Sequence, residues 1–207
     1  MSVPHSLLFV CEANVCRSPL MELALRDVLA SDEWEISSRG TQVSPGMSTM
    51  CSIGALMCGV GVSAHTPVAL TLEDIERSHL IITASRAERA AVAAMVPAVR
   101  WKVFTLREAI FLGERAPTAE ERGIDGLEEV RGPRLEKYAA VLHRRRGLLD
   151  PPVRRRRLLP RRPRINPLDV PDVHSSRPAV HRAVLREVAA QVGLFGEQLA
   201  TDRSGVS

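Results

Sequence analysis

Residues 7–19 read LLFVCEANVCRSP, and this stretch decides the fold. The apolar run Leu7–Val10 is short and unbroken, which predicts a buried strand. A tight loop then runs from Cys11 to Cys16, and a helical pattern begins at Arg17. A strand, a tight loop and a helix N-terminus together predict an anion site, because backbone N–H groups and the helix dipole supply partial positive charge.

The loop carries a thiol at its first position and a guanidinium at its end. We expect the loop amides and the helix N-terminus to stabilise a thiolate at Cys11. Arg17 offers a planar fork that matches two phosphate oxygens, and Ser18 is placed to donate a hydrogen bond to the Cys11 sulfur. Asn14 tolerates a positive φ, which a loop wrapped around an anion requires. The pattern favours attack by sulfur on a bound phosphate.

A different interpretation makes Cys11 and Cys16 a buried pair of small apolar residues, or half of a metal site. No cluster of His and Cys with ligand spacing completes such a site in the sequence. We therefore predict no metal, and we interpret Cys51 and Cys58 as small core residues.

The string VCEANVCRSP, following an apolar strand, resembles the phosphate loop of the low-molecular-weight protein tyrosine phosphatases. The resemblance implies hydrolysis of phosphotyrosine in proteins through a cysteinyl-phosphate intermediate, with no cofactor. It assigns a phosphate-loop role to six residues besides Cys11 and Arg17, namely Glu12, Ala13, Asn14, Val15, Cys16 and Ser18. Two residues of this loop would weaken the implied activity. Ala13 replaces a common glycine, and Glu12 adds a negative charge that would oppose a phosphate dianion.

The same resemblance predicts two residues that support the loop. Ser38 would hydrogen-bond to Asn14, and His65 would join the network around it. Arg39 departs from the small residue that the family commonly has at that position. The alternatives are an ordinary polar strand end at Ser38 and a surface or core histidine at His65.

A tyrosine leaving group needs a general acid. The family supplies that acid from an Asp-Pro loop in the C-terminal third of the chain. Residues 168–174 read LDVPDVH, which aligns best with Asp172 as the acid. Val173 replaces the usual proline and His174 the usual aromatic residue, while Asp169 is a competing candidate.

Strand and helix patterns alternate along the chain. Strands are predicted at 7–10, 34–36, 79–83 and 101–106, and helices at 17–30, 48–59, 87–95 and 179–199. Such alternation predicts an α/β fold, a three-layer structure with a four-stranded parallel sheet flanked by helices. We expect one domain over 1–207, in which 113–164 is a partly helical, then disordered, Arg-rich insertion before the acid loop.

Charge is unevenly distributed. Residues 144–164 hold ten Arg and one Asp, whereas the rest of the chain carries 18 basic against 23 acidic residues. This segment could steer acidic phosphopeptides, bind nucleic acid or anionic lipid nonspecifically, or serve solubility alone, and the last is the usual role of a charge run. We expect no specific nucleic-acid partner.

The chain has no signal-peptide pattern and no apolar run of membrane-spanning length, so we expect no membrane insertion. A reduced thiol nucleophile favours the cytoplasm. The expected partner is a tyrosine-phosphorylated protein, and the sequence sets no oligomeric state.

Two other functions fit parts of the pattern. Arsenate reduction uses a similar anion loop, and the absence of any cysteine after Cys58 leaves only a version that employs a small external thiol. A catalytically weak phosphate-binding interaction protein is the other, suggested by Ala13, Val173 and the Arg-rich segment.

Overall fold

The computed structural model describes residues 4–46, 49–115, 118, 121, 134–148 and 166–204. A four-stranded sheet lies at its centre, in the order β2-β1-β3-β4. The strands are β1 His5–Cys11, β2 Trp34–Gly40, β3 Leu80–Thr83 and β4 Val103–Thr105, and all pairings are parallel. The register places Leu7 opposite Ile36 on one side and Leu80 on the other. The predicted α/β fold is confirmed.

The helices follow the strands as the alternation indicated. Among the described residues they are α1 Arg17–Val28, α2 Ser52–Met57, α3 Leu72–Arg77, α4 Arg86–Met95, α5 Leu106–Gly113, α6 Arg134–Arg146 and α7 Pro178–Ser204. Short 3-10 turns occupy Val62–Ala64 and Pro97–Lys102. The second turn includes residues 101 and 102, where the fourth strand was predicted to begin, so β4 is shorter than expected.

Two helical layers cover the sheet, because successive side chains of β1 point to opposite faces. Leu7 and Phe9 are fully buried in the larger core cluster, which includes residues of α1, α5, α6 and α7. Leu8 and Val10 lie in the smaller cluster with Ile75 of α3 and other apolar residues. The three-layer arrangement explains why β1 is a continuous apolar run: both of its faces are covered.

The strand order places the loop after β1 where open α/β sheets bind ligands. The chain moves outward from β1 to β2 and then crosses to β3 on the other side, which makes the carboxyl end of β1 the topological switch point. The segment before α7 meets this edge, since the Val170 N–H donates to the Ala84 carbonyl at 2.8 Å and the Ala84 N–H donates to Val10 at 2.8 Å. The fold thus brings residues 11–18 and 168–174 together.

Two arginines of the Arg-rich segment are part of the packed structure. Arg145 is buried and donates to the carbonyls of Leu112 and Arg115 at 2.7 and 2.6 Å. Arg146 pairs with Glu108 at 2.9 Å, and its guanidinium lies 4.3 Å from the centre of the Phe104 ring. Both guanidinium groups anchor α6 to its neighbours, so these two arginines of the charge run contact protein groups.

Much of the predicted insertion over 113–164 lies outside the described residues, namely 149–164 and most of 116–133. Within the described part of the chain, no helix is long and apolar enough to cross a membrane.

Candidate active site

The loop between β1 and α1 turns its carbonyl groups outward. The carbonyls of Cys11, Glu12 and Val15 accept hydrogen bonds from the N–H groups of Thr41, Gln42 and Cys51 at 3.0, 2.8 and 2.8 Å respectively. In a trans peptide the N–H points away from the C=O of the same unit. The amides that follow these carbonyls therefore point to the inner side of the loop, which is the arrangement that binds an oxyanion.

Asn14 organises the loop. It is fully buried and has φ 54°, the only positive φ among the described non-glycine residues. Its side-chain nitrogen donates to Ser38 Oγ at 2.9 Å and to Ser18 Oγ at 3.0 Å. Its side-chain oxygen accepts from the Val68 N–H at 2.8 Å. The expected contact between Ser38 and Asn14 is present, whereas the Val68 contact could not be read from the sequence because it joins backbone to side chain across 54 positions.

His65 contacts Asn14 as expected. Its Nε2 lies 3.0 Å from the Asn14 carbonyl oxygen and 3.1 Å from the side-chain oxygen. Both are acceptors, so Nε2 must carry the proton. Burial lowers the pKa of His65, with the nearby Glu22 carboxylate opposing this effect. A neutral Nε2–H tautomer therefore holds the loop near pH 7.

Cys11 lies at the base of the loop and is 2% exposed. Ser18 Oγ donates to its sulfur at 3.0 Å and in turn accepts from Asn14. The Asn14 amide, the Ser18 hydroxyl and the Cys11 sulfur thus form one hydrogen-bonded chain that ends on the sulfur.

Arg17 is buried to 5% exposure between two carboxylates. One terminal nitrogen lies 3.3 Å from Glu88 Oε1, and the other lies 2.7 Å from Asp172 Oδ2. Glu88 belongs to α4 and is itself buried. Glu88 belongs to no local motif in the sequence, because only the packing of α4 beside the loop makes it a partner of Arg17.

The two candidate acids occupy different places. Asp172 reaches the site, where Oδ2 pairs with Arg17 and Oδ1 accepts the His174 N–H at 2.9 Å. Asp169 accepts hydrogen bonds from the backbone N–H and the Nε of Arg86, at 2.9 and 3.3 Å, at the start of α4. The carboxylate that faces the loop is therefore that of Asp172, while Asp169 has a structural partner.

The departures from the family pattern have simple structural outcomes. Ala13 does not adopt a positive φ, so its Cβ causes no strain of the kind that a glycine position would impose. Arg39 turns away from the loop and pairs with Asp74 of α3 at 2.9 Å. Gly40 approaches the loop closely, since a Cβ there would lie 2.8 Å from the Glu12 carbonyl oxygen. Glu12 itself is exposed.

A second cluster lies beside the loop, and its three residues are too far apart in the sequence to form a ligand motif. Cys16 Sγ is 2.8 Å from Cys51 Sγ and 2.8 Å from His181 Nε2. The shared hydrogen bond raises the pKa of Cys16 and lowers that of Cys51 to about 7. The interpretation of Cys51 as an ordinary core residue is incomplete, because it also caps α2 through the Gly54 N–H at 3.3 Å.

Taken together, the loop offers a sulfur nucleophile, inward amides, a fixed guanidinium and one carboxylate at the rim. These groups can hold a tetrahedral oxyanion, attack its central atom and protonate a leaving group.

Comparison with known proteins agrees with this chemistry. Residues 6–144 match the family described as low molecular weight phosphotyrosine protein phosphatase. A low molecular weight protein-tyrosine-phosphatase of Escherichia coli K12, Etp, is 30% identical over 129 residues, which are 62% of this chain and 86% of Etp. A protein-arginine-phosphatase of Bacillus subtilis is 29% identical over 107 residues, which are 50% of this chain and 71% of that protein.

Solved structures show the same fold. The arginine phosphatase of Geobacillus stearothermophilus superposes with a TM-score of 0.64 at 19% identity, covering 99% of this chain and 98% of that one. A low molecular weight protein tyrosine phosphatase from T. tengcongensis gives a TM-score of 0.59, also at 19% identity, covering 95% of this chain and 99% of that one.

Proposed function

The chain belongs to the low molecular weight phosphotyrosine protein phosphatase family, and from that premise we propose that it hydrolyses phosphotyrosine in proteins with Cys11 as nucleophile. The observation that carries the proposal is the hydrogen-bonded chain from Asn14 through Ser18 to the Cys11 sulfur, with 3.0 Å at each step. A buried sulfur held by donors at the inner side of an amide loop is arranged for attack on phosphorus.

In the first step the Cys11 thiolate attacks phosphorus in line with the tyrosine oxygen. The S–P bond forms while the P–O bond to tyrosine breaks, and Asp172 gives its proton to the departing oxygen. The inward amides and the Arg17 guanidinium stabilise the equatorial oxygens. Glu88 keeps the guanidinium in place when phosphate competes with Asp172 for it.

In the second step the Asp172 carboxylate takes a proton from water, and the water oxygen attacks phosphorus. The S–P bond breaks, inorganic phosphate leaves and Cys11 returns as a thiolate. Ser18 stabilises the departing sulfur through the hydrogen bond it already makes. An arginine phosphatase variant with serine at the active-site cysteine has been solved with that serine phosphorylated, which supports a covalent intermediate on this fold.

Phosphoarginine in proteins is the second candidate substrate. Relatives from B. subtilis and G. stearothermophilus are named protein-arginine-phosphatases. The exposed carboxylate of Glu12 in the loop favours a cationic guanidinium over a phenol ring. His174, exposed beside Asp172, takes the place of the aromatic residue that would stack on a phenol ring.

One paired assay decides between the substrates. A peptide of one sequence is prepared with phosphotyrosine or with phosphoarginine, and phosphate release is measured with wild type and with Cys11→Ser. A higher kcat/KM on the phosphotyrosine peptide supports the proposal. A higher value on the phosphoarginine peptide would show that phosphotyrosine is not the preferred substrate, while the role of Cys11 as nucleophile would stand. Binding without release from either peptide, or thiol-dependent arsenate reduction alone, overturns the proposed activity itself.

A thiolate nucleophile works only while it is reduced. We therefore place this activity in a reducing compartment such as the cytoplasm.

A further inference from the structure

The side chains of Cys16, Cys51 and His181 take no part in the proposed phosphatase steps. We propose that these three side chains bind one Zn²⁺ ion beside the phosphate loop, at a site separate from the Cys11 nucleophile. The ligand atoms are two sulfurs and one imidazole nitrogen, and all three lie within 4.8 Å of one another.

Three separate elements bring these ligands together. Cys16 is the residue before α1, Cys51 is the residue before α2, and His181 lies in the first turn of α7. The Cys51 N–H donates to the Val15 carbonyl at 2.8 Å, which fixes the backbones of the two cysteines side by side. Sites of this kind need a scaffold that holds the ligands before the ion arrives, and here the fold supplies it.

The donor set suits zinc. Thiolate and imidazole are the ligands that Zn²⁺ prefers, whereas Mg²⁺ and Ca²⁺ require oxygen. Two thiolates and one neutral imidazole balance the charge of a divalent ion. The balance matters because all three residues are buried, at 7, 8 and 4% exposure for Cys16, Cys51 and His181. An uncompensated charge in such a place would be costly.

The sulfurs of Cys16 and Cys51 lie closer together than they would around a bound zinc ion. Zn–S bonds of about 2.3 Å place two sulfurs about 3.8 Å apart and a sulfur about 3.6 Å from a ligating nitrogen. The sulfurs lie at 2.8 Å, and His181 Nε2 lies 2.8 and 4.0 Å from them. Binding therefore needs the sulfurs to separate by about 1 Å, which rotation about a cysteine χ1 bond provides.

The surroundings favour the ion as well. The Gly54 N–H already donates to Cys51 Sγ at 3.3 Å, as backbone amides do to metal-bound thiolates. Arg17, the residue after Cys16, carries a positive charge that is paired with Glu88 and Asp172. With three protein ligands, the fourth position belongs to water or to an added ligand.

The ion would join the phosphate loop to α2 and α7. Cys16 directly precedes Arg17, and α7 follows the loop that carries Asp172. Zinc at this place would fix the backbone at the start of α1 and the segment that returns from the acid loop, while leaving Cys11 free to act.

The test uses the full chain, stripped of metal and kept reduced. Zn²⁺ is titrated in competition with a chromophoric chelator, and Co²⁺ is used as a spectroscopic probe. We expect one equivalent of Zn²⁺ to bind, and Co²⁺ to give thiolate charge-transfer absorption. Cys51→Ser and His181→Gln should each weaken Zn²⁺ binding by at least about 100-fold, because loss of a direct ligand costs no less than loss of a supporting group.

The matched control is Cys58→Ser, the same substitution at a half-buried thiol outside the cluster. It should leave Zn²⁺ affinity unchanged, and Cys11→Ser should still bind one equivalent. Circular dichroism establishes which variants are folded, and either ligand variant alone suffices for the comparison.

Three results would overturn the proposal. The first is Zn²⁺ binding that survives Cys51→Ser and is lost in Cys11→Ser, which would put the ion on the nucleophile. The second is absence of binding by wild type with all thiols titratable. The third is a Cys16–Cys51 disulfide, found by mass spectrometry, in protein kept in reducing buffer. None of these results depends on turnover, so they leave the proposed phosphatase activity to its own assay.

Discussion

The phosphate loop and the acid loop face each other across the site but are held very differently. In the phosphate loop, the fully buried Asn14 side chain forms hydrogen bonds with four residues. Among the described residues, the Asp172 side chain pairs with Arg17 and accepts the His174 N–H, and it is 49% exposed. The Cys11 half of the site is thus held by buried hydrogen bonds, whereas the Asp172 carboxylate is held by one ion pair and one hydrogen bond at a half-exposed position. Groups that stabilise charge are expected to be preorganised, as the loop around Cys11 is. A group that delivers and recovers a proton is expected to keep some freedom of movement, as Asp172 does.

The largest effect should come from the nucleophile. Cys11→Ser removes the sulfur but keeps the loop amides and Arg17, so turnover should fall by at least about 10⁴-fold. Binding of inorganic phosphate should persist, since the amides and the guanidinium remain. Steady-state hydrolysis and phosphate titration measure the two quantities, and loss of both together would mean that the loop itself had collapsed.

The acid loop should show a leaving-group dependence. Asp172→Ala should lower kcat on phosphotyrosine by about 10²–10⁴-fold, the usual contribution of a general acid. The loss should be far smaller on aryl phosphates with better leaving groups, which need less protonation.

The matched variant is Asp169→Ala, which removes a carboxylate bonded to Arg86 rather than to Arg17. It should change kcat little on either substrate. If it shows the leaving-group signature instead, the acid is Asp169 and the comparison of the two loops is wrong.

Substitutions of Asn14 should measure how strongly its hydrogen bonds and its positive φ stabilise the loop around Cys11. Asn14→Gly removes its side-chain hydrogen bonds and should cost about 2–4 kcal/mol of unfolding free energy. Asn14→Ala should cost about 1–2 kcal/mol more, because Ala does not tolerate the φ of 54°. Urea unfolding measures both, and equal losses would show that backbone conformation contributes nothing here.

The smallest effect should be a pH dependence of folding stability that arises from His65, which contacts Asn14. Burial lowers the pKa of His65, so below about pH 6.5 the unfolded chain binds a proton that the folded chain does not. Stability should therefore fall as the pH drops from about 7 to 5. The pKa values of His79, His143 and His181 are lowered as well, which adds to the trend.

The variant His65→Gln keeps an amide donor for Asn14 but does not titrate. It should reduce the fall in Tm across this range by about 1–3 °C. An unchanged slope, measured by differential scanning calorimetry, would assign the trend to the other histidines.

Local patterns were enough for the sheet and for the loop. The apolar run at β1, the alternation with helices and the residue types from Cys11 to Ser18 are encoded in adjacent positions, where sterics and periodicity act directly. Ser38 and His65 were reached only through resemblance to a family, and the contacts that the resemblance implied are present.

Other parts of the site depend on chain segments that meet only after folding. Asp172 and Asp169 lie in the same short stretch, but only the structure shows that Asp172 pairs with Arg17 and Asp169 with Arg86. Glu88 becomes a partner of Arg17 because α4 packs beside the loop. Arg145 and Arg146 belong to a run of charge in the sequence, yet both anchor α6. Arg145 donates to the Leu112 carbonyl, and Arg146 pairs with Glu108.

By itself the sequence determined which chemical groups the first loop carries, because strand, amide loop, thiol and guanidinium are consecutive. Only the tertiary structure decided which carboxylates pair with Arg17 and which side chains contact Cys16. Cys16, Cys51 and His181 are separated by 35 and 130 positions and share no local pattern, yet their ligand atoms converge within 4.0 Å. Contacts of this kind arise from the packing of whole helices against the sheet, and that packing is a property of the complete core.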